Sequence, residues 1–94
     1  MVGVVVDSLS NLLYSPSFNS AYRQLPTHIR HKVDRQIQTL VSNFTHPGLR
    51  ARKMIHMGGI WEARVDRHYR FTFERDGSVI LLRTVGTHDI YQRP

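Results

Sequence analysis

Cysteine is absent from the 94 residues, which excludes a disulfide framework, a thiolate metal site and a cysteine nucleophile, and gives no reason to expect an oxidising compartment. No apolar run, Val4–Val6 included, approaches the roughly 20 residues needed to span a bilayer. The expectation is a cytoplasmic protein. Carboxylates are scarce, 7 against 13 basic residues, and lysine is scarcer still: Lys32 and Lys53 are the only two among those 13, so 11 are arginines. A glycine-rich phosphate loop and a paired-carboxylate site are both missing, and no histidine spacing makes a convincing metal site; His28 and His31, three apart on an expected helix, are a weak signal.

What is present is a net charge of +6 carried mainly by guanidinium groups. A planar guanidinium grips phosphate or carboxylate with two hydrogen bonds where an ammonium acts as a point charge. Such a chain is suited to polyanions or an acidic partner. The plainer reading, solubility alone, stands beside that one.

Along the chain, residues 1–11 read as an N-terminal extension of undecided order, in which Val2–Val6 is a candidate strand, and residues 12–94 read as a single domain in which Leu12–Tyr14 is an equally good first strand. Ser15-Pro16 supplies an N-cap followed by proline at the first helical position, and Phe18, Tyr22 and Leu25 recur at helical spacing. After Pro26, the stripe Ile29, Val33, Ile37, Leu40, Val41 and Phe44 predicts a second, amphipathic helix. His46-Pro47-Gly48 stops it. From Leu49 onward the period becomes two: strands are expected over 50–57, 60–65, 69–74 and 79–85, separated by Gly58-Gly59, Asp66-Arg67-His68 and Asp76-Gly77. The fold class that follows is α+β, an antiparallel four-stranded meander with two N-terminal helices on one face and a short first strand before them.

Setting the turns fixes an expected register. A three-residue connection at Asp66–His68 pairs Ala63 with Phe71 and Arg64 with Arg70; a two-residue turn at Asp76-Gly77 pairs Phe73 with Ile80 and Arg70 with Arg83; a turn at Gly58-Gly59 pairs Lys53 with Arg64. One face then collects Met54, Trp61, Ala63, Val65, Tyr69, Phe71, Phe73, Ile80 and Leu82 as core, and the other lines up Lys53, Arg64, Arg70 and Arg83. Like charges opposite one another in a sheet cost stability, so such a row points to an anion site. The plainer reading is that Glu62 and Glu74, on the same face, neutralise it. Beyond the last strand, His88 and Tyr91 can reach the end of the row only if Gly86 lets the chain bend into a turn. Imidazole is suited to acid or base work near neutrality, and a phenol to donation or positioning.

The order and spacing of Leu25-Pro26, the second helix, His46-Pro47-Gly48-Leu49, Trp61-Glu62-Ala63-Arg64-Val65, Tyr69-Arg70-Phe71 and Val85-Gly86-Thr87-His88-Asp89-Ile90-Tyr91 resembles the RelE/ParE toxins of type II toxin-antitoxin systems, over about residues 12–91. The resemblance implies an antitoxin as partner and, on the RelE-like branch, a metal-independent endoribonuclease that inhibits translation by cutting messenger RNA on the ribosome, with no cofactor. Arg70 matches the phosphate-stabilising arginine of that branch, His88 its arginine or histidine after the last strand, and Tyr91 its C-terminal tyrosine. By the strand register rather than by the resemblance, Arg64 adds a second cation to the catalytic group. Lys53, Arg50, Arg52 and Arg83 are the expected RNA-binding residues. The lysine pair that some members carry before the Tyr-Arg motif falls at Trp61 and Ala63 here, so His88 or Glu62 must replace the usual base, or the chain does not cut. The alternative is a ParE-like gyrase inhibitor, or an inactive relative that only binds antitoxin.

Overall fold

A computed structural model describes residues 5–7 and 11–94, and the first of these only as backbone. Helix α1 (Pro16–Arg23) begins at the expected cap: the Ser15 hydroxyl accepts the Phe18 N–H at 3.0 Å and proline fills the first helical position. The same hydroxyl donates to the Arg83 carbonyl at 2.7 Å, which ties the helix start to the sheet. Helix α2 (Thr27–Ser42) follows Pro26 and buries Ile29, Val33, Ile37 and Leu40. Val41, one position round from Leu40, is 38% exposed, so the buried stripe is narrower than expected. Among the described residues, no helix is long and apolar enough to cross a membrane.

Among the described residues, six strands form one sheet: β1 (Val5–Asp7), β2 (Leu12–Tyr14), β3 (Arg52–Lys53), β4 (Trp61–Arg64), β5 (Arg70–Asp76) and β6 (Val79–Gly86), in the order β1-β2-β6-β5-β4-β3. Both candidate first strands are thus used, although Val2–Val4 lie outside the described residues. The sheet is mixed, not the expected four-stranded antiparallel one, because β2 lies parallel to β6. A meander of β3 to β6 leaves the outer edge of β6 bare, and a bare edge is a row of unpaired backbone groups. β2 fills it, and β1 pairs antiparallel on β2.

Phe71, Phe73, Leu82, Val33, Leu40 and Phe18 are buried between the helices and one sheet face, with Trp61 and Tyr69 half-buried at its margin. Leu49, in a 3₁₀ turn (Pro47–Leu49), is also fully buried.

The β4–β5 register is the expected one, with Ala63 opposite Phe71 and Arg64 opposite Arg70. At the next hairpin Asp76 pairs with Val79, so the tip is Gly77-Ser78 and Phe73 faces Leu82, two positions from the expected partner. A slip of two leaves every side chain on its own face, so hydrophobic alternation is blind to it. Between Thr72 and Phe73 the register shifts again: Thr72 pairs with Thr84 and Arg70 with Gly86, which leaves Arg83 as the extra residue of a bulge. β3 is shorter than expected. Positive φ at His56, Gly58 and Gly59 turns residues 54–60 into a loop, and Lys53 pairs with Trp61 rather than Arg64.

Candidate functional site

The sheet face away from the helices is crossed by the C-terminal segment. Its 3₁₀ turn (His88–Tyr91) folds back on β6 because residue 86 has no side chain: a Cβ there would stand 3.0 Å from Asp89 Oδ1 and 3.3 Å from Ile90 Cγ2. Ile90 is buried, at 2% exposure. Beyond it the Pro94 carbonyl accepts from Thr72 Oγ1 at 2.7 Å and from Arg83 Nε at 3.0 Å.

Tyr91 anchors the turn. Its hydroxyl donates to Glu62 Oε1 at 2.8 Å, and Arg52 Nε donates to Glu62 Oε2 at 2.9 Å. Glu62 is only 5% exposed, so this buried carboxylate has a partner on each oxygen. Burial first, then the bond to Glu62 and its charge, push the Tyr91 phenol above the ordinary tyrosine range.

The turn at Asp66–Tyr69 supplies the rest. Asp66 Oδ1 accepts the N–H groups of His68 and Tyr69, each at 2.9 Å, and Lys32 Nζ pairs with Asp66 Oδ2 at 3.1 Å. Burial works against the Asp66 charge, but these two N–H bonds and Lys32 prevail and hold the carboxyl below its ordinary range. Arg70 Nη1 donates to the carbonyls of Asp66 at 2.6 Å and Tyr69 at 2.9 Å. The guanidinium is therefore fixed through one nitrogen. Arg70, His88 and Tyr91 line one open pocket of about 210 Å³, together with Arg67 and His68. A larger cavity of about 560 Å³ lies between α1, α2 and β2; its Asp34 already accepts the Tyr22 hydroxyl at 2.6 Å, and burial with that bond pushes the Tyr22 phenol up to about 12.

No protein-family model matches the chain, and no curated protein matches it in sequence. Solved structures do match. The RelB–RelE antitoxin–toxin complex from Methanococcus jannaschii aligns with a TM-score of 0.69 at 21% identity, over 85% of this chain and 95% of that one. The YoeB/ParE toxin from Agrobacterium tumefaciens aligns at 0.70 and 16% identity, over 82% and 97%. The DinJ–YafQ complex of E. coli aligns at 0.68 and 15%, over 84% and 92%. The chain has the RelE/ParE toxin fold.

Within that fold, the expected site residues divide. Arg70, His88 and Tyr91 come together, and Arg64 stands opposite Arg70 on the same face. The row of four cations does not form. Lys53 is on the helix side with its ammonium 5.7 Å from the centre of the Trp61 ring, and Arg83 is displaced by the bulge and pairs with Glu74. Arg52 is spent on Glu62, while Arg50 is exposed after the Pro47–Leu49 turn in a left-handed conformation. Neutralisation, the plainer reading, therefore holds for Arg83 through Glu74, whereas Glu62 pairs with Arg52, which lies outside the expected row. Trp61 and Ala63 face the helices, Ala63 fully buried. The β4 side chains on the open face are Glu62 and Arg64. Two further residues belong to the site, Arg67 and His68 in the pocket wall, while Glu62, a candidate base in the sequence, lies behind Tyr91 with both oxygens occupied. Asp66, two residues before His68, was the available signal, since Asp readily caps its own turn.

Proposed function

We propose that this chain is the toxin of a type II toxin-antitoxin system and acts as a ribosome-dependent, metal-independent messenger RNA endoribonuclease. The observation that carries the reading is the convergence of Arg70, His88 and Tyr91 on one open pocket from separate parts of the chain. Cleavage by the 2′-hydroxyl needs a cation at the phosphate, a base for the hydroxyl proton and an acid for the 5′-oxygen. Arg70 is anchored by Nη1 alone, so Nε and Nη2 remain to bind the phosphate, with Arg64 adding charge beside it. His88, exposed at the pocket rim, serves as acid or base. Tyr91 stays neutral and spends its proton on Glu62, so it orients the substrate through its ring and phenol oxygen.

The partners follow from the same reading. RelB–RelE and DinJ–YafQ are antitoxin–toxin complexes, and a net charge of +6 suits both an acidic antitoxin segment and ribosomal RNA. Exposed Arg50 is the cation assigned to the RNA backbone, since Arg52 is committed to Glu62. The protein then works in the cytoplasm, where ribosomes are. The test is to add the purified protein to a cell-free translation reaction and map message 5′ ends by primer extension, beside Arg70→Ala and His88→Ala. Cuts at ribosome-bound codons, lost in both variants, are expected. Intact message on a translating ribosome would sink the reading and turn attention to gyrase supercoiling or to antitoxin binding without catalysis.

A further inference from the structure

We propose that His68 is the second proton-transfer group of this site, dividing acid and base work with His88. The inference rests on the nuclease reading and supplies what that reading lacks. Cleavage requires two proton transfers, and the open face of β4 offers no free base: Glu62 is held by Tyr91 at 2.8 Å and Arg52 at 2.9 Å, and Arg64 is a cation. His68 lines the pocket with His88, and the two imidazoles come from separate elements, the β4–β5 turn and the C-terminal turn.

The His68 backbone is rigidly held while its ring is left free. Asp66 Oδ1 takes the His68 N–H at 2.9 Å, Lys32 steadies the other oxygen at 3.1 Å, and Arg70 grips the Asp66 carbonyl at 2.6 Å. One turn thus positions the phosphate-binding guanidinium and an imidazole together. Neither the His68 nor the His88 ring is hydrogen-bonded to a described residue, whereas His46 Nδ1 is occupied by the Gly48 N–H at 3.0 Å. The charged groups around the two rings are Arg67 and Arg70; the nearby carboxylates are turned elsewhere, Asp66 to its own turn and Lys32, Asp89 to the Thr87 hydroxyl at 3.2 Å.

In the reaction, one imidazole takes the 2′-hydroxyl proton as that oxygen bonds to phosphorus, and the other, entering as imidazolium, gives its proton to the 5′-oxygen as the P–O5′ bond breaks. The products are a 2′,3′-cyclic phosphate and a 5′-hydroxyl, and proton exchange with water resets the pair. His68 is exposed, so its replacement leaves the fold intact.

The experiment uses ribosomes programmed with a short message, either all-oxygen or carrying one 5′-bridging sulfur at the cut bond, with the full chain, His68→Gln and His88→Gln. A sulfur leaving group needs no acid. Expected are a bell-shaped pH profile for the unaltered chain and a loss of about a hundredfold or more in each variant on all-oxygen message. Each variant should lose a different limb, and sulfur should restore only one of them. His68→Gln cutting within about threefold of the unaltered chain, retaining both pH limbs at a reduced rate, or responding to sulfur just as His88→Gln does would each overturn the inference while leaving the nuclease reading standing. If the unaltered chain leaves the message uncut, both fall together.

Discussion

At the residue scale, the Glu62 carboxylate is where burial and charge meet. It is tolerated at 5% exposure because each oxygen has a donor. Glu62→Gln keeps the shape but leaves one acceptor oxygen for the two donors, Tyr91 and Arg52. It should cost about 1 kcal/mol of stability and loosen the His88–Tyr91 turn, read by urea unfolding and by faster amide exchange in that turn. The two displaced phenols contribute to the alkaline behaviour. Tyr22 titrates at about 12 in the fold and Tyr91 is also raised, while an unfolded tyrosine titrates near 10. The folded chain holds these protons longer, so their stabilisation is complete below the unfolded value and is lost as pH rises through the folded ones. Tyr22→Phe should flatten the fall in urea midpoint above about pH 10. Asp66 has the opposite sign. Its folded value is depressed, so its contribution is present above about pH 4 and is lost on further acidification. Asp66→Asn should remove that part of the acid slope, measured by the same titration.

At the element scale, two local irregularities decide where the C-terminal turn carrying His88 and Tyr91 lies. The bulge at Arg83 brings Gly86 rather than Val85 opposite Arg70, and the bare backbone of Gly86 then lets the C-terminal turn lie down over β5 and β6. A side chain at residue 86 must displace Asp89 or Ile90, and with them His88 and Tyr91. Gly86→Ala should therefore retain cooperative unfolding and, on the nuclease reading, cut message at least about tenfold more slowly. Crystallography or amide exchange should locate the change in residues 87–91. The α1 start is the contrasting case, because Ser15 both caps the helix and donates to Arg83 O at 2.7 Å. Ser15→Ala should cost about 1–2 kcal/mol, seen as a lower urea midpoint.

At the scale of the whole molecule, one continuous core joins both helices to one sheet face, and the Cα radius of gyration is 12.1 Å. Unfolding should be a single transition, with a heat-capacity change of about 1.2 kcal/mol/K by calorimetry. Truncation at the centre, Phe71→Ala, should cost about 3–5 kcal/mol, since that ring is fully buried between the layers. Charge acts at this scale too. On the nuclease reading, single-stranded RNA should bind with a steep salt dependence, and Arg64→Ala, which neutralises one phosphate fewer, should lower its log–log slope by about 0.7. Much of this organisation is legible in the chain: the α1 cap, the stripe of α2, the alternation of β4 to β6 and the Arg64–Arg70 pair. The Lys53-to-Arg83 row was not, because strand register depends on turn geometry that alternation does not report.

Local chemistry thus determined the helices, the core face of β4, β5 and β6, and the excess of guanidinium. It did so because capping, propensity and hydrophobic period act within a few residues of chain. Tertiary structure alone decided that β2 runs parallel to β6, that a bulge displaces Arg83, and that Glu62 is buried beneath Tyr91. It also brought His68 to the same pocket as His88. Those outcomes depend on contacts between residues far apart in sequence, where a slip of two preserves every hydrophobic face and only packing and hydrogen-bond closure choose between registers.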